Sequence, residues 1–441
     1  MTEPPSSGGA GFAGGGAKKV DPAVSLVGHL AVPGDKSISH RALLIGAICE
    51  GETRVTGWGR SADTESTLAA VRALGVTVDE HGADELTIHG VGLRGLRSAE
   101  IDCGNAGTLA RLIAGLLAFQ DGTFTLSGDE SLSQRPMQRI GMPLEQMGAS
   151  FESTGGKLPV RIEGTQLQGI EYELPVASAQ IKSAVLLAAL GATGRTTVLE
   201  PRPSRDHTEL MLESAGASLA RRPGRVSLDP VASLRLPEVR VPGDFSSAAP
   251  FIVAATLLPG SEITIHDVGL NPYRTGLLDV LERMGARIGV LNRRRVGMET
   301  IGDIEVAYAE LTATKVGADE VPKLIDELPL FALAASVAHG ESRVSGADEL
   351  RLKESDRTTA VVELLRAIGA HAQGQPDGFV ITGVPTRPRG GRVRSLDDHR
   401  IAMLGAVSGL VSSEGVEIEA ADSVAISFPG FFEVLAELTQ R

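Results

Sequence analysis

The segments VPGDKSISHRALL (Val32–Leu44) and VPGDFSSAAPFIV (Val241–Val253) share one plan. A turn built on Pro and Gly leads to an aspartate, and a nearly uncharged run follows. Aspartate ahead of such a run is a helix N-cap. An Ala, Leu and Ile run without charge in its middle is a helix buried on all sides. The first copy adds Lys36, Ser37 and Arg41 to the helix start. Cations there oppose the helix dipole unless an anion binds, so they mark a candidate anion site as well as a boundary in the fold.

The unit around these segments recurs. The apolar helices SHRALLIGAI, TLARLIAGLLAF, IKSAVLLAALGA, SAAPFIVAATLL, LPLFALAASVA and RIAMLGAVSGL are each followed by a glycine-led strand: GETRVTG from Gly51, GTFTLSG from Gly122, GRTTVLE from Gly194, GSEITIHD from Gly260, GESRVSG from Gly340 and GVEIEAAD from Gly415. The strands alternate polar with apolar or β-branched residues, as half-buried strands do, and each leading glycine suits a helix C-cap. After the first five strands comes an amphipathic helix ending in LG, MG, AG, MG or IG; the sixth, FFEVLAELTQR, runs to the C-terminus. The pattern predicts an α/β fold of six repeated units with buried parallel helices.

The two VPGD segments enclose three units and precede three more, so they are expected to be paired crossovers between two domains. Residues 35–243 form the inserted domain, and 23–34 with 244–441 form the discontinuous one. The Gly, Ser and Pro-rich residues 1–22 are expected to be a disordered tail.

A chain of 441 residues is too long for one ordinary core. Aromatics are 3% of the residues and the net charge is −13, which disfavours base-stacking and phosphate-backbone binders and predicts no nucleic-acid partner. Cys49 and Cys103 are the only cysteines, too few for a disulfide framework or zinc-ligand spacing. No apolar run is long enough to span a bilayer, so a cytoplasmic protein without membrane contact is expected.

The charged residues gather at helix starts and in the loops after the strands. The helix starts are GDKSISHR, DCGNAGT, ASAQIKS, GDFSS, KLIDELP and LDDHR; the loops hold Arg135, Arg205, Lys353 and Arg357. If the buried helices run parallel, their N-termini face a cleft suited to a small, multiply anionic molecule. Arginine forks match carboxylate and phosphate, and lysine supplies a point charge. Asp326 and Glu354 are candidates for the base and acid of an addition and elimination, although local sequence alone favours an N-cap role for Asp326.

The motifs PGDKSISHRALL, GNAGTLARL, LSQRPM, ASAQIKSAVLLA, PSRDHTE, DELPLFALAA, LRLKESDR and DDHRIAM, in this order, closely resemble the 5-enolpyruvylshikimate-3-phosphate synthase family, in particular its second sequence class. The resemblance implies an enolpyruvyl transferase-like inverse α/β barrel in two domains, acting on shikimate 3-phosphate and phosphoenolpyruvate as a monomer, with no metal and no organic cofactor. It places shikimate 3-phosphate against Lys36, Ser37, Arg41, Ser178, Gln180, Arg205, Asp326 and Lys353. It places phosphoenolpyruvate against Lys36, Asn105, Gly107, Arg135, Gln180, Arg357, His399 and Arg400. Lys36, Asp326 and Glu354 would be catalytic. A UDP-N-acetylglucosamine enolpyruvyltransferase, disfavoured by DKSISHR, and a non-catalytic phosphate-binding relative are the alternatives.

Overall fold

The computed structural model describes residues 16–440. The six apolar runs are helices: Lys36–Ala47, Gly107–Leu117, Ala179–Ala189, Phe245–Leu257, Leu328–Ser336 and His399–Val411. Small residues let them pack closely. A Cβ on Gly115 would lie 2.1 Å from the Ala184 carbonyl of the neighbouring helix. In the sixth helix every residue but Arg400 is buried.

Each glycine-led strand is the spine of its own sheet. In the second unit, for example, Thr123–Ser127 runs parallel to Ala99–Asp102 and antiparallel to Lys157–Glu163, which turns back on Ser150–Thr154. The glycine falls three to five residues beyond the helix end, so it is a turn into the strand rather than the expected cap. The true caps are the glycines closing the five amphipathic helices. Gly75, Gly148, Gly216, Gly285 and Gly369 all have φ between 90° and 102°. At each, the following N–H reaches back five residues, as Val76 does to Val71 at 3.1 Å, which satisfies the last free carbonyls.

Two strands change places between the halves of the chain. Ser25–Ala31 pairs parallel with Glu262–Gly269, and Glu238–Arg240 pairs parallel with Glu50–Thr56. The chain therefore passes twice between the sheets, at the two VPGD segments. These lie antiparallel: Asp35 N–H donates to Pro242 O and Asp244 N–H to Pro33 O, both at 2.8 Å. The buried apolar residues form two clusters. The first core runs from Ile38 to Val241 and takes in Met298; the second joins Val20–Leu30 to Phe245–Leu438. Met298 stands at the turn of the hairpin Arg287–Val296 and Glu299–Ala307, which reaches across from the second core.

The expected tail needs correction. Residues 1–15 lie outside the described residues, but Lys18–Val20 is a strand antiparallel to Val416–Ile418, with Val20 buried. The sixth unit makes no hairpin of its own, because a 3-10 turn and the helix Phe431–Leu438 follow its strand directly. The N-terminal strand fills the vacant antiparallel edge.

The crossover tolerates no side chain at Gly34, where a Cβ would sit 1.8 Å from the Gly57 carbonyl. Gly34→Ala is expected to lower urea-unfolding stability by about 3 kcal/mol or more. Gly51→Ala, at positive φ but in open space, should cost only about 1–2 kcal/mol. Equal losses would contradict the crossover's tight packing.

Candidate active site

Five of the six buried helices open on one cavity of about 330 Å³. Lys36 and Ser37 enter it from the first helix, Thr108 and Arg111 from the second, and Ser178 and Gln180 from the third. Asp326 stands just before the fifth helix, and His399 and Arg400 begin the sixth. The fourth helix, starting at Phe245, does not reach the lining; its cap Asp244 bonds Arg274 instead, at 3.2 Å. Arg205, Lys353, Glu354 and Arg357 complete the candidate set from the post-strand loops.

On the first-core side, Lys36 Nζ lies 2.7 Å from Asp63. Gln180 accepts from Arg111 at 2.6 Å and donates to Thr108 at 3.1 Å. Arg41 points inward, donating to Thr208 at 2.7 Å, Ser183 at 2.9 Å and the Ser37 carbonyl at 2.9 Å. Burial pushes its pKa down to about 10. Arg135 donates to Asn105 at 2.6 Å and to Ser131 at 3.1 Å, while Asn105 donates to Asp129 at 2.7 Å. Thus Arg41, Asn105, Gly107 and Arg135 stand behind the lining rather than on it. A Cβ on Gly107 would press on the guanidinium ends of Arg111, at 3.1 Å, and Arg135, at 3.2 Å.

On the second-core side, Asp326 caps nothing. It is buried among Arg205, Arg357 at 3.2 Å, Lys353 at 3.4 Å, and Arg274 and Arg400 at 3.8 Å. Burial alone would raise its pKa, but Lys353, Arg400, Arg205 and Arg357 together hold it well below the usual carboxylate range. Glu354 is in the same situation. Arg357 at 2.5 Å and Arg135 at 3.4 Å outweigh its burial and keep it ionised. Asp398, fully buried, grips Arg357 at 2.8 and 3.1 Å and fixes the fork between these carboxylates.

His399 differs from its charged neighbours. Burial first, then Lys36 and Arg400, hold its pKa well below 6.5, so the ring is neutral. Both of its buried nitrogens lack a protein partner, although it lines the cavity.

Four ion pairs span the cavity: Arg205 to Asp326, Arg135 to Glu354 at 3.4 Å, Arg139 to Glu349 at 2.8 Å and Arg202 to Asp319 at 2.7 Å. In each of these four the cation belongs to the first-core side and the carboxylate to the second; at the crossovers the longer contact of Arg274 with Asp35, 4.0 Å, has the opposite sense. Sequence reasoning missed Arg111, Arg139, Arg202 and Lys182. Arg111 had a signal, being the one charge on its apolar helix. Lys182 is buried between Glu209 at 2.6 Å and Glu200 at 3.0 Å and also donates to the Ser204 carbonyl, so it anchors the loop that carries Arg205.

Buried helices that aim their N-termini and cations at two carboxylates form a fold shared with a solved enolpyruvyl transferase. The enolpyruvyl transferase NikO from Streptomyces tendae has the same fold, with a TM-score of 0.79 over 97% of this chain and 98% of NikO, at 18% identity. The EPSP synthase (3-phosphoshikimate 1-carboxyvinyltransferase) family model matches residues 20–435. A 3-phosphoshikimate 1-carboxyvinyltransferase from Alkalilimnicola ehrlichii is 49% identical over 95% of this chain and 94% of its own length; one from Synechococcus is 49% identical over 94% and 96%. The solved EPSP synthase from Acinetobacter baumannii superposes with a TM-score of 0.85 at 41% identity, covering 96% of this chain and 98% of that one. The chain belongs to the EPSP synthase family and is an enzyme, a transferase.

Acid should weaken the fold in two stages. Burial, with Lys36 beside both rings and Arg41 or Arg400 next to one each, depresses the pKa of His40 and His399, so below about 6.5 the unfolded chain binds protons that the folded chain refuses. Asp326 and Glu354, also depressed, add a second loss once the pH falls below about 4.5. Urea midpoints that stay level from pH 7 to 4 would contradict these charge states.

Proposed function

We propose that this chain transfers the enolpyruvyl group of phosphoenolpyruvate to the 5-hydroxyl of shikimate 3-phosphate, releasing phosphate, as a step of the shikimate pathway. The observation that carries the proposal is the convergence of Lys36, Arg205, Lys353, Arg357 and Arg400 with Asp326 and Glu354 on one cavity. Shikimate 3-phosphate would lie against Lys36, Ser37, Ser178, Gln180, Arg205, Asp326 and Lys353, with Arg41 bracing the first helix behind them. Phosphoenolpyruvate would lie against Lys36, Gln180, Arg357, His399 and Arg400, with Asn105, Gly107 and Arg135 forming the wall behind. In this account residues 35–243 are one domain, 23–34 with 244–441 the other, and the site lies between them. A monomer is part of the same proposal. Among the described residues no helix is long and apolar enough to cross a membrane; a cytoplasmic location is likewise part of the proposal.

The chemistry is an addition followed by an elimination. Asp326 takes the proton of the 5-hydroxyl as that oxygen bonds to the central carbon of phosphoenolpyruvate. Glu354, ionised in the free enzyme, takes up a proton from solvent as its cations turn to the substrates and, assisted by Lys36, delivers it to the methylene carbon. The tetrahedral adduct then returns a methyl proton to Glu354 while its carbon–oxygen bond to phosphate breaks, and the proton held by Asp326 passes through solvent to the departing phosphate, which regenerates the base. Both carboxylates begin ionised and heavily paired. Incoming phosphates and carboxylates compete for the same guanidinium and ammonium groups. As those cations turn to substrate, the proton affinity of Asp326 and Glu354 rises toward a value useful for proton transfer. Fixed charges in a dry cleft then stabilise the charge that develops.

The test is phosphate release with each substrate omitted in turn and the organic product identified by mass. Release should require both substrates and yield the enolpyruvyl ether. Asp326→Asn and Glu354→Gln should each lower kcat by roughly a hundredfold to ten-thousandfold with smaller changes in KM. Folded protein that binds shikimate 3-phosphate but releases no phosphate would favour the non-catalytic alternative.

A further inference from the structure

Arg274 is the cation beside Asp326 that is absent from the cavity lining. It follows the fourth glycine-led strand, in NPYRTG, the position in its unit that Arg135 and Arg205 occupy in theirs. Its side chain is only 4% exposed. It lies 3.2 Å from both Asp244 and Glu327, donates to Ser246 Oγ, and stands 3.8 Å from Asp326 and 4.0 Å from Asp35. Asp35 and Asp244 cap the two helices that leave the crossovers. One guanidinium thus joins both crossovers to a carboxylate of the cavity.

The other charged groups facing Asp326 are Arg205 from the first-core side, Lys353 and Arg357 from the loop and helix start after the fifth strand, Arg400 from the sixth helix, and the adjacent Glu327, itself paired to Arg274 and 3.8 Å from Arg400. The four cations among these line the cavity; Arg205, Lys353 and Arg400 are the more exposed and can turn to a ligand's anions, whereas Arg357 stays gripped by Asp398. Arg274 is tied down by Asp244, Glu327 and Ser246 and does not line the cavity. We infer that Arg274 is the positioning residue of Asp326: it keeps that carboxylate aimed and ionised after substrate anions have drawn off Arg205, Lys353 and Arg400, and it links that aim to the paired crossovers. The inference rests on the proton-accepting role proposed for Asp326.

The experiment is the pH profile of kcat and KM for the native enzyme, Arg274→Gln and Arg274→Lys, with urea unfolding of each. Loss of a nearby cation makes the carboxyl harder to ionise, so the acid limb of kcat should move up by about one pH unit in Arg274→Gln. kcat at neutral pH should fall more than KM for shikimate 3-phosphate rises. Arg274→Lys, which keeps the charge, should restore the limb. A Gln variant with the native limb and native kcat, altered only in urea midpoint, would make Arg274 a strut and overturn the inference. If Arg274→Gln does not fold, Ser246→Ala, which removes a hydroxyl held between Arg274 and Glu327, should move the limb in the same direction by less; an unmoved limb there overturns it equally. Native protein that releases no phosphate would instead defeat the proposed activity, and this inference with it.

Discussion

The carboxylate of Asp326, buried within 4 Å of five cations, is the interaction on which the site depends. Neither sign of charge can leave water alone; a buried ion with no partner costs several kcal/mol. Asp326 and Glu354 therefore act as internal counter-ions that let Arg205, Lys353, Arg357 and Arg400 stand in a largely buried cavity before any ligand arrives. A substrate carrying phosphates and carboxylates can replace them in kind. On the proposed mechanism the exchange gives binding and catalysis a common origin, because the groups released from their cations are those assigned to handle protons.

That cluster exists because the chain crosses between its two cores twice at the same place. The reciprocal 2.8 Å bonds between the VPGD segments hold the starts of two buried helices side by side. The helix N-termini around them turn toward one cavity, and the hairpin tip at Met298 pins the opposite flank by entering the first core. Next to it His207 Nδ1 meets Glu299 at 2.6 Å, and Asn271 donates to Asp206 at 2.7 Å, so the junction carries buried polar bonds as well as apolar contact. The four ion pairs across the cavity all have one polarity, cation on the first-core side and carboxylate on the second. Displacing them would weaken the bond between the sides just as a ligand begins to bridge them.

Much of the repeat was legible in the sequence, because each unit announces itself with an uncharged helix and a glycine-led strand. The swapped strands 25–31 and 238–240 could be anticipated from the duplicated VPGD. The strand Lys18–Val20 could not, since its partner lies about four hundred residues away and its own composition is that of a tail. The role of the leading glycines was misjudged because local sequence does not say how many residues separate a helix end from the next strand. Eleven predicted residues line the cavity; Arg41, Asn105, Gly107 and Arg135 stand behind it, because a motif records which residues cooperate and not which one touches ligand. Lys182 and Arg274 were invisible for the opposite reason: each works through a neighbour, and only the packing reveals which.

The central claim is that substrate anions take over cations now held by Asp326 and Glu354. A crystal structure of the protein with shikimate 3-phosphate bound tests it most directly. The account predicts that Arg205 turns from Asp326 to the ligand, leaving Asp326 in contact with Arg274 and beside the substrate's 5-hydroxyl. A complex in which the ligand sits in the cavity while Arg205 and Lys353 keep their present bonds to Asp326 would contradict it.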